Sequence, residues 1–271
     1  MPAPVASLSS LAPLRDRAEA LASRAHVPFS GQPTAAVLLL DDGQWIPGVR
    51  VESASYSLTI PALLNGYTTA VTWGRAADVV AFALSRPFRR EERLYVEELP
   101  YGSYKAHADD VWLKGSRLDD GTISPAAEPL SPFLSGPISE PTRGVRDARR
   151  VATHAYVPAS DFHVGAVLEL SDGRLVPGVN VEHTDWARIL CAERNALGTV
   201  CSYDAPPAQR LFLSCAEDPE GTPCGACRQL IMEQFPDVGL WMDRHDDAPE
   251  HVPIASLLPG SFRGQALLDE S

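Results

Sequence analysis

The chain of 271 residues is 45% hydrophobic and 21% charged, which supplies cores for one large or two ordinary globular domains and argues against disorder. No stretch approaches the roughly 20 apolar residues of a membrane-spanning helix, and the start, MPAPVASLSSLAPLRDRAEAL, lacks a signal-peptide pattern, so we expect a cytoplasmic protein. A net charge of -12 argues against nucleic acid as a partner, because such binding relies on Lys and Arg.

The predicted elements follow the same order twice. The first copy has a helical pattern, a strand at Ala35–Leu40, an Asp-Gly turn, a strand ending near Val51, and a buried helix beginning at Pro61. The second copy is predicted to contain a helical pattern, a strand at Val164–Leu170, a strand ending near Val181, a helix from Ala192, a strand at RLFLS, a helix from Ala226 and a strand at VGLWM. This order predicts an α/β fold of tandem α/β/α sandwiches, each with a mixed sheet covered by helices.

The repetition is a tandem duplication. Residues 25–66 align with residues 155–196 at a constant offset of 130, without a gap, so that Gly43 meets Gly173 and Glu52 meets Glu182. Between the copies, DDGTISPAAEPLSPFLSGPISEPTRG is rich in Pro, Ser and Gly, which is typical of a linker. We therefore predict one domain over residues 10–140 and a second over residues 146–271.

The five cysteines all lie between Cys191 and Cys227, which favours metal binding or catalysis over disulfides. Cys191 opens CAERNA, and Cys224 and Cys227 lie in PCGACRQ, each at or just before a predicted helix start where the helix dipole stabilises a thiolate. Three protein ligands with an open fourth position are typical of catalytic zinc. Glu193 lies at the same helix start as Cys191, where a carboxylate can reach water on the metal without ligating it.

These motifs, CAER and PCGACRQ, resemble those of the cytidine deaminase family, in its nucleoside branch rather than the branches that edit RNA or DNA. The resemblance covers the second half and, in degraded form, the first. It implies a Zn²⁺ cofactor held by Cys191, Cys224 and Cys227, with Glu193 as the catalytic acid and base. It also implies substrate contacts from Phe162, Asn180, Glu182 and Ala192, and charge balance beside the thiolates from Arg194.

The reaction implied by the resemblance is hydrolytic deamination of cytidine and 2'-deoxycytidine to uridine and deoxyuridine plus ammonia, in pyrimidine salvage. Zinc-bound hydroxide would attack C4 of the base while Glu193 carries the proton. Alternatives are a deaminase of a modified or antibiotic-type cytosine nucleoside and a non-catalytic zinc-binding pseudoenzyme. A closed structural zinc site that adds Cys201 or Cys215 is a further alternative, but it gives Glu193 no role.

The first copy lacks the residues that this chemistry needs, and it contains no cysteine. The differences from the predicted site of the second copy include Gln32 for Phe162, Arg50 for Asn180, Pro61 for Cys191 and Leu63 for Glu193. We therefore predict that the first copy is a degenerate, catalytically inactive domain.

Each copy keeps a different part of the family pattern. Family members usually read N-A-S-Y-G-L-T-I before the first metal ligand; the first copy reads SASYSLTI, whereas the second reads HTDWARIL. In homotetrameric members the Ala and Tyr of this segment reach a neighbouring active site. We therefore expect Ala54 and Tyr56 to complete the site of the second copy, within the chain or across a dimer. Phe262, and more loosely Phe133, are candidates for a similar contribution.

The resemblance thus implies a homodimer that imitates the tetramer of the family, with a small pyrimidine nucleoside as substrate and neither nucleic acid nor membrane as a partner. On this interpretation four residues of the divergent HTDWARIL segment face the inactive cavity: His183, Asp185, Trp186 and Arg188. The alternative is that they line the active cavity and alter its substrate.

Overall fold

The structure is a computed structural model that describes residues 8–115, 125–245, 247–264 and 267–268. These residues form two five-stranded sheets, one in each half of the chain, with helices packed on them. The predicted α/β class is confirmed. Within the described residues, no helix has the length and apolar character needed to cross a bilayer.

The first half forms a sheet in the order β2-β1-β3-β5-β4, in which all neighbouring strands are antiparallel. Its interior strand β1 is buried along its whole length, as an uninterrupted apolar run requires. The elements of this half are α1 (Leu8–Leu21), β1 (Ala35–Leu40), β2 (Trp45–Val49), α2 (Ala62–Thr72), β3 (Val79–Leu84), α3 (Arg90–Glu97), β4 (Tyr104–Ala108) and β5 (Val111–Lys114).

The second half forms a mixed sheet in the order β10-β9-β8-β6-β7, in which β8 and β9 are parallel and the other neighbours antiparallel. The parallel pair is connected through α6, which begins just after Cys224. The elements of this half are α4 (Pro141–Ala152), β6 (Val164–Leu170), β7 (Leu175–Val179), α5 (Ala192–Ser202), β8 (Ala208–Cys215), α6 (Gly225–Gln234), β9 (Gly239–Met242), β10 (Glu250–Pro253) and α7 (Ile254–Leu257).

The duplication is visible in the register of the hairpins. Ala35 pairs with Val49 and Gly165 pairs with Val179, which are equivalent pairs at the offset of 130. The turn glycines Gly43 and Gly173 have φ of 89° and 82°, in the left-handed region that favours glycine. The repeated Asp-Gly therefore marks the same turn in both halves.

Several predicted bounds need correction. The second strands end at Val49 and Val179, and the positions near Val51 and Val181 form only isolated bridges. The helix predicted to begin at Pro61 is α2, and it begins at Ala62, because Pro61 has an extended ψ of 145° and is its N-cap. The helix expected from Ala226 already begins at Gly225.

The two halves diverge after their third strand. In the second half the helix α6 returns the chain to form a parallel neighbour for β8, whereas in the first half α3 leads into a hairpin whose second strand, β5, lies antiparallel beside β3. On this side of the first sheet the edge strand is therefore β4, although β4 comes before its neighbour β5 in the sequence. This difference falls outside the ungapped alignment of residues 25–66 with 155–196.

Glycines at equivalent positions allow each motif helix to lie close to its sheet. A Cβ on Gly178 would lie 2.2 Å from the carbonyl oxygen of Ala192, and a Cβ on Gly48 would lie 2.2 Å from that of Ala62. Real side chains do not reach such distances, so the Pro-Gly-Val repeat is needed for this contact. In the second half, the close approach at Gly178 places the first turn of α5 against β7, and Cys191, which directly precedes that turn, is placed with it.

The halves pack through α2 and α5, in an interface with two equivalent asparagines. The side-chain amide of Asn65 lies within hydrogen-bond distance of Val49 O, Gly198 O and Ser202 Oγ, at 2.8, 3.0 and 2.9 Å. Asn195 repeats this pattern with the counterparts Val179 O, Thr68 O and Thr72 Oγ1, at 2.9, 3.1 and 2.8 Å. A local two-fold axis therefore relates the halves.

The segment expected to be a linker packs against both sheets. Ala126 N and Leu130 N donate to carbonyls of the first hairpin at 2.7 and 2.8 Å, and Leu134 forms a bridge with Leu175 in β7. Its last residues belong to α4, which begins at Pro141, ahead of the predicted start of the second domain at residue 146. Much of the described part is therefore connected by hydrogen bonds, and it is not a loose tail.

Candidate active site

Three cysteines meet where α5 and α6 begin. Cys191 is the N-cap of α5 and Cys224 the N-cap of α6, so free backbone N–H groups of both helices lie near the sulfurs. Cys227 is fully buried in the first turn of α6. The Sγ–Sγ distance is 3.7 Å from Cys191 to Cys224 and 3.5 Å from Cys224 to Cys227, and all three sulfurs lie within 4.8 Å of one another.

This donor set fits zinc. A Zn–S bond of about 2.3 Å in tetrahedral geometry places sulfurs about 3.8 Å apart, which is close to the observed spacing. Hydrogen bonds from the neighbouring sulfurs of Cys191 and Cys227 lower the pKa of Cys224 far below that of an ordinary thiol. The contact with Cys224 raises the pKa of Cys191, and contacts with Cys191 and then Cys224 raise that of Cys227. Without a metal, the three sulfurs thus favour a single shared thiolate.

No fourth metal-ligating side chain joins this group among the described residues. Cys201 and Cys215 remain outside it, and burial raises the pKa of each thiol to about 12. These properties are those of apolar packing residues. The arrangement disfavours the closed structural site that was an alternative from the sequence.

Glu193 lies in the first turn of α5 and is buried, with only 4% of its surface exposed. Burial raises the pKa of its carboxyl group to about 7 in the metal-free protein. A group with such a pKa can both accept and release a proton near neutral pH, as a general acid and base must.

Glu193, Cys191 and Cys224 line one cavity of about 520 Å³, which is within the range of small-molecule sites. The cavity also contains the predicted substrate residues Phe162, Asn180 and Glu182. The remaining lining residues are Ser160, Val164, Ile189, Leu213, Cys215, Asp218, Glu220, Gly221 and Thr222. The sequence thus brings its predicted metal ligands, its predicted proton carrier and three of its four predicted substrate residues to one site.

The cavity wall is held by short-range hydrogen bonds. Asn180 accepts a bond from Val164 N and donates to Phe162 O, both at 2.8 Å, which positions the strand entry that carries Phe162. Glu182 accepts bonds from Ala159 N at 2.8 Å and Ser160 N at 3.3 Å through one oxygen, Oε2. The polar groups of the wall are therefore fixed before a ligand binds.

The loop between β8 and α6 contributes cavity residues that no sequence motif indicates. Asp218 and Glu220 from this loop line the cavity, as do Gly221 and Thr222. Only their place in the sequence, just before the Pro-Cys of the second metal motif, could have indicated that they line the site. Nothing in their residue types identified them.

The equivalent region of the first half is mostly filled. Pro61 and Leu63, in the positions of Cys191 and Glu193, line a cavity of only about 100 Å³. Arg50 Nε donates to Glu52 at 2.9 Å, and the main chain at Phe29 and Ser30 donates to the same carboxylate. Burial opposes ionisation of Glu52, but these hydrogen bonds outweigh it and lower its pKa. The counterpart of Glu182 therefore has its bonding capacity used within the protein.

The divergent HTDWARIL segment lies mainly against the first half. Ala187 and Arg188 line the small cavity beside Pro61, and the ring of His183 stacks on Tyr95 at 5.0 Å. Among the described side chains of this segment, only Ile189 lines the large cavity, and the side chain of Trp186 is outside the described part of the structure. The structure therefore favours the interpretation that these residues face the inactive side.

The remaining predicted residues do not line the large cavity. Ala192 is fully buried under β7, and Arg194 Nη2 donates to Leu58 O at 2.9 Å, across the boundary between the halves. Ala54 is buried against the chain itself, whereas Tyr56 is 87% exposed and Phe262 is 52% exposed. Phe133 packs on Tyr203 and Arg174, away from both cavities.

Comparison with known proteins agrees with this geometry. Residues 139–238 match the family described as the cytidine and deoxycytidylate deaminase zinc-binding region. A cytidine deaminase of Halalkalibacterium halodurans is 31% identical over 126 residues, which are 46% of this chain and 96% of the relative. The chain belongs to the cytidine deaminase family.

Other members of the cytidine deaminase family match in the same proportion. A cytidine deaminase of Sporosarcina psychrophila is 32% identical over 45% of this chain and 91% of its own length. The crystal structure of a cytidine deaminase from Burkholderia pseudomallei is 29% identical, covers 45% of this chain and 98% of its own, and has a TM-score of 0.43. Each of the two curated relatives, matched over 96% and 91% of its length, corresponds to less than half of this chain, which is consistent with a tandem form.

Proposed function

We propose that the chain catalyses hydrolytic deamination of cytidine and 2'-deoxycytidine, giving uridine or deoxyuridine and ammonia. The observation that carries this proposal is the cavity whose lining combines a buried glutamate, a polar wall and two of the three clustered metal-competent cysteines, with the third directly behind them. The names of the relatives, cytidine deaminase, support the same substrate class.

Cys191, Cys224 and Cys227 would hold the zinc ion. When bound, zinc supplies Lewis acidity, which makes water acidic enough to ionise near neutral pH. Three thiolates carry more negative charge than the metal neutralises, so the two helix N-termini at the site stabilise them by their dipoles.

Glu193 would move the proton. Its carboxylate would accept one proton from the attacking water and deliver it to N3 of the pyrimidine, and would then carry the second proton, from the hydroxyl now on C4, to the amine. The C4–N bond breaks, the C4=O bond forms, and the leaving group is ammonia. Burial of Glu193 keeps bulk water from competing for these protons.

The wall opposite would bind the nucleoside. Phe162 supplies an apolar face for the base, and Asn180 and Glu182 supply amide and carboxylate groups for ribose hydroxyls. Both main-chain bonds to Glu182 use Oε2, so Oε1 can accept a bond from the sugar.

Charge favours a nucleoside over a nucleotide. Four carboxylates line the cavity, those of Glu182, Glu193, Asp218 and Glu220, and its described lining includes no Lys, Arg or His. A 5'-phosphate would bring further negative charge into this field without a cation to balance it. Cytidine monophosphate should therefore be a poor substrate.

The first half, about residues 10–140, would be inactive and the second would carry the reaction. Exposed Tyr56 and Phe262 are available to a second copy of the chain, which supports a homodimer that imitates a tetramer. We place this activity in pyrimidine salvage in the cytoplasm.

An assay of ammonia release tests the proposal. Zinc-loaded protein is mixed with cytidine, 2'-deoxycytidine, cytidine monophosphate and a panel of base- and sugar-modified cytosine nucleosides. We expect turnover of the first two and little of the nucleotide. Turnover restricted to a modified nucleoside would replace the proposed substrate, and no turnover of any compound would favour a pseudoenzyme.

A further inference from the structure

One short segment of the first half contacts both helices that carry the cysteines. We define it as the 53–58 segment, which includes the SASYSL of the first copy. Ser53 Oγ donates to Glu233 Oε1 at 2.9 Å and Ala54 N donates to Glu233 Oε2 at 3.0 Å. Glu233 belongs to α6, the helix that begins after Cys224 and contains Cys227.

The same segment also contacts α5. Leu58 O accepts a bond from Arg194 Nη2 at 2.9 Å, and Arg194 lies in the first turn of α5, close to Cys191. The 53–58 segment is thus connected at one end to α6 and at the other to α5. The distance between the sulfur of Cys191 and those on α6 depends on how these two helices are placed.

We propose that the 53–58 segment of the degenerate half is a brace that sets the positions of α5 and α6, with Glu233 as the positioning residue through which it holds the metal site. The inference rests on the proposed zinc-dependent function. It explains why a half without metal ligands keeps a segment close to the family pattern.

Burial and bonding support this role for Glu233. Ser53 and Ala54 are 2% and 5% exposed, so their contact with α6 is shielded from water. Glu233 also accepts a bond from Gln229, one helical turn earlier, at 2.6 Å. Three donors on one carboxylate fix its orientation, and hydrogen bonds to charged acceptors are among the stronger ones.

The duplication provides a matched control. At the equivalent place on the other side of the local two-fold axis, Thr184 Oγ1 donates to Glu98 at 2.9 Å, and His183 Nε2 lies 3.5 Å from the same carboxylate. Ser53 and Ala54 correspond to His183 and Thr184 at the offset of 130. Glu98 follows α3, which carries no metal ligand. Loss of this second contact should weaken the interface without releasing zinc.

The experiment measures the rate of zinc release from the zinc-loaded chain to a chromophoric chelator, together with the melting temperature. We expect Glu233→Ala to release zinc about tenfold faster, since removal of groups that orient metal ligands typically costs 10–100-fold in affinity. Glu233→Gln, which keeps one acceptor oxygen, should be intermediate, and Ser53→Ala should show a smaller increase. Glu98→Ala and Thr184→Ala should release zinc at the wild-type rate.

Wild-type release rates in both Glu233→Ala and Ser53→Ala would overturn the inference, as would equal acceleration by Glu98→Ala. Ser53→Ala is the smaller change and provides the answer should Glu233→Ala fail to fold. If the wild-type chain holds zinc but deaminates no cytosine nucleoside, the proposed function fails, while the release rates of the variants still decide the role of the 53–58 segment.

Discussion

Thr69 and Thr199, which occupy the same position in the two copies, share a hydrogen bond of 2.8 Å between their hydroxyl oxygens. The local two-fold axis passes through this contact, so the interface between the halves resembles that of a symmetric dimer, in which one surface pairs with itself. Duplication has therefore placed a dimer-like contact within one chain.

Removal of an interface asparagine should destabilise the protein. Asn195→Ala and Asn65→Ala each delete a buried amide with three partners, and we expect a loss of about 2–3 kcal/mol in the free energy of unfolding for each, because the partners remain buried. Urea denaturation measures this. Thr153→Ala, at an exposed position, is the control, and a loss in either asparagine variant no larger than in the control would contradict the interpretation.

Alanine at the two strand glycines should separate stability from metal binding. Gly178→Ala and Gly48→Ala create the same 2.2 Å clash with a helix carbonyl, so both should lower the melting temperature by several degrees. Only Gly178→Ala displaces the helix that follows Cys191, and only this variant should lose zinc affinity. Equal zinc affinity in the two variants, measured by competition with a chelator, would be evidence against this coupling.

Acid should remove the contribution of Asp243 to the free energy of unfolding. Burial opposes its ionisation, but hydrogen bonds from Arg149, Ser214 and the main chain outweigh burial and lower the pKa of its carboxyl group. Its stabilising effect is therefore present above the unfolded-state pKa of about 4 and is lost as the pH falls through the lower folded-state pKa.

Urea denaturation at several pH values compares the free energy of unfolding of the wild-type protein with that of Asp243→Asn. At pH 7 the variant should be less stable by about 1–2 kcal/mol, since the buried carboxylate of Asp243 loses its charge-assisted bonds to the half-exposed Arg149. The difference should shrink steadily below pH 4. A difference that stays constant down to pH 2 would show that charge is not its origin.

Zinc content should be one ion per chain, although the chain contains two copies of the fold. Cys191, Cys224 and Cys227 are the only three-residue metal-competent group among the described residues. Cys191→Ser should abolish tight binding in elemental analysis, whereas Cys201→Ser should retain it. Two ions per chain would mean that the first half is not degenerate in metal binding.

The sequence was sufficient for much of this description because the motifs are local. Cys191, Glu193, Cys224 and Cys227 lie at helix starts, so their spacing predicts that they converge, and the ungapped repeat predicts matching hairpins. Divergence after β3 was not predictable, because pairing of β5 rather than β4 with β3 depends on tertiary packing. Pro- and Ser-rich composition likewise hid the hydrogen bonds of residues 126–134 to both sheets.

Contacts between the halves were the least accessible to sequence reasoning. Tyr56 was expected to complete the active cavity, but within one chain it is exposed, and it remains a prediction for a dimer. Arg194 was expected to balance the charge of the thiolates; its bond to Leu58 O could not be predicted, because main-chain acceptors leave no pattern in the sequence.

The most direct measurement is the loss of cytidine absorbance on addition of the zinc-loaded protein, with Glu193→Gln as the matched variant and Glu220→Gln as the control at the cavity rim. We predict rapid conversion by wild type, retention of most activity in Glu220→Gln, and a loss of about 10³-fold in Glu193→Gln with zinc still bound, since proton transfer to N3 and to the amine both lose their carrier. Wild-type protein that binds zinc and leaves cytidine and deoxycytidine unchanged, or a Glu193→Gln variant as active as wild type, would contradict the account.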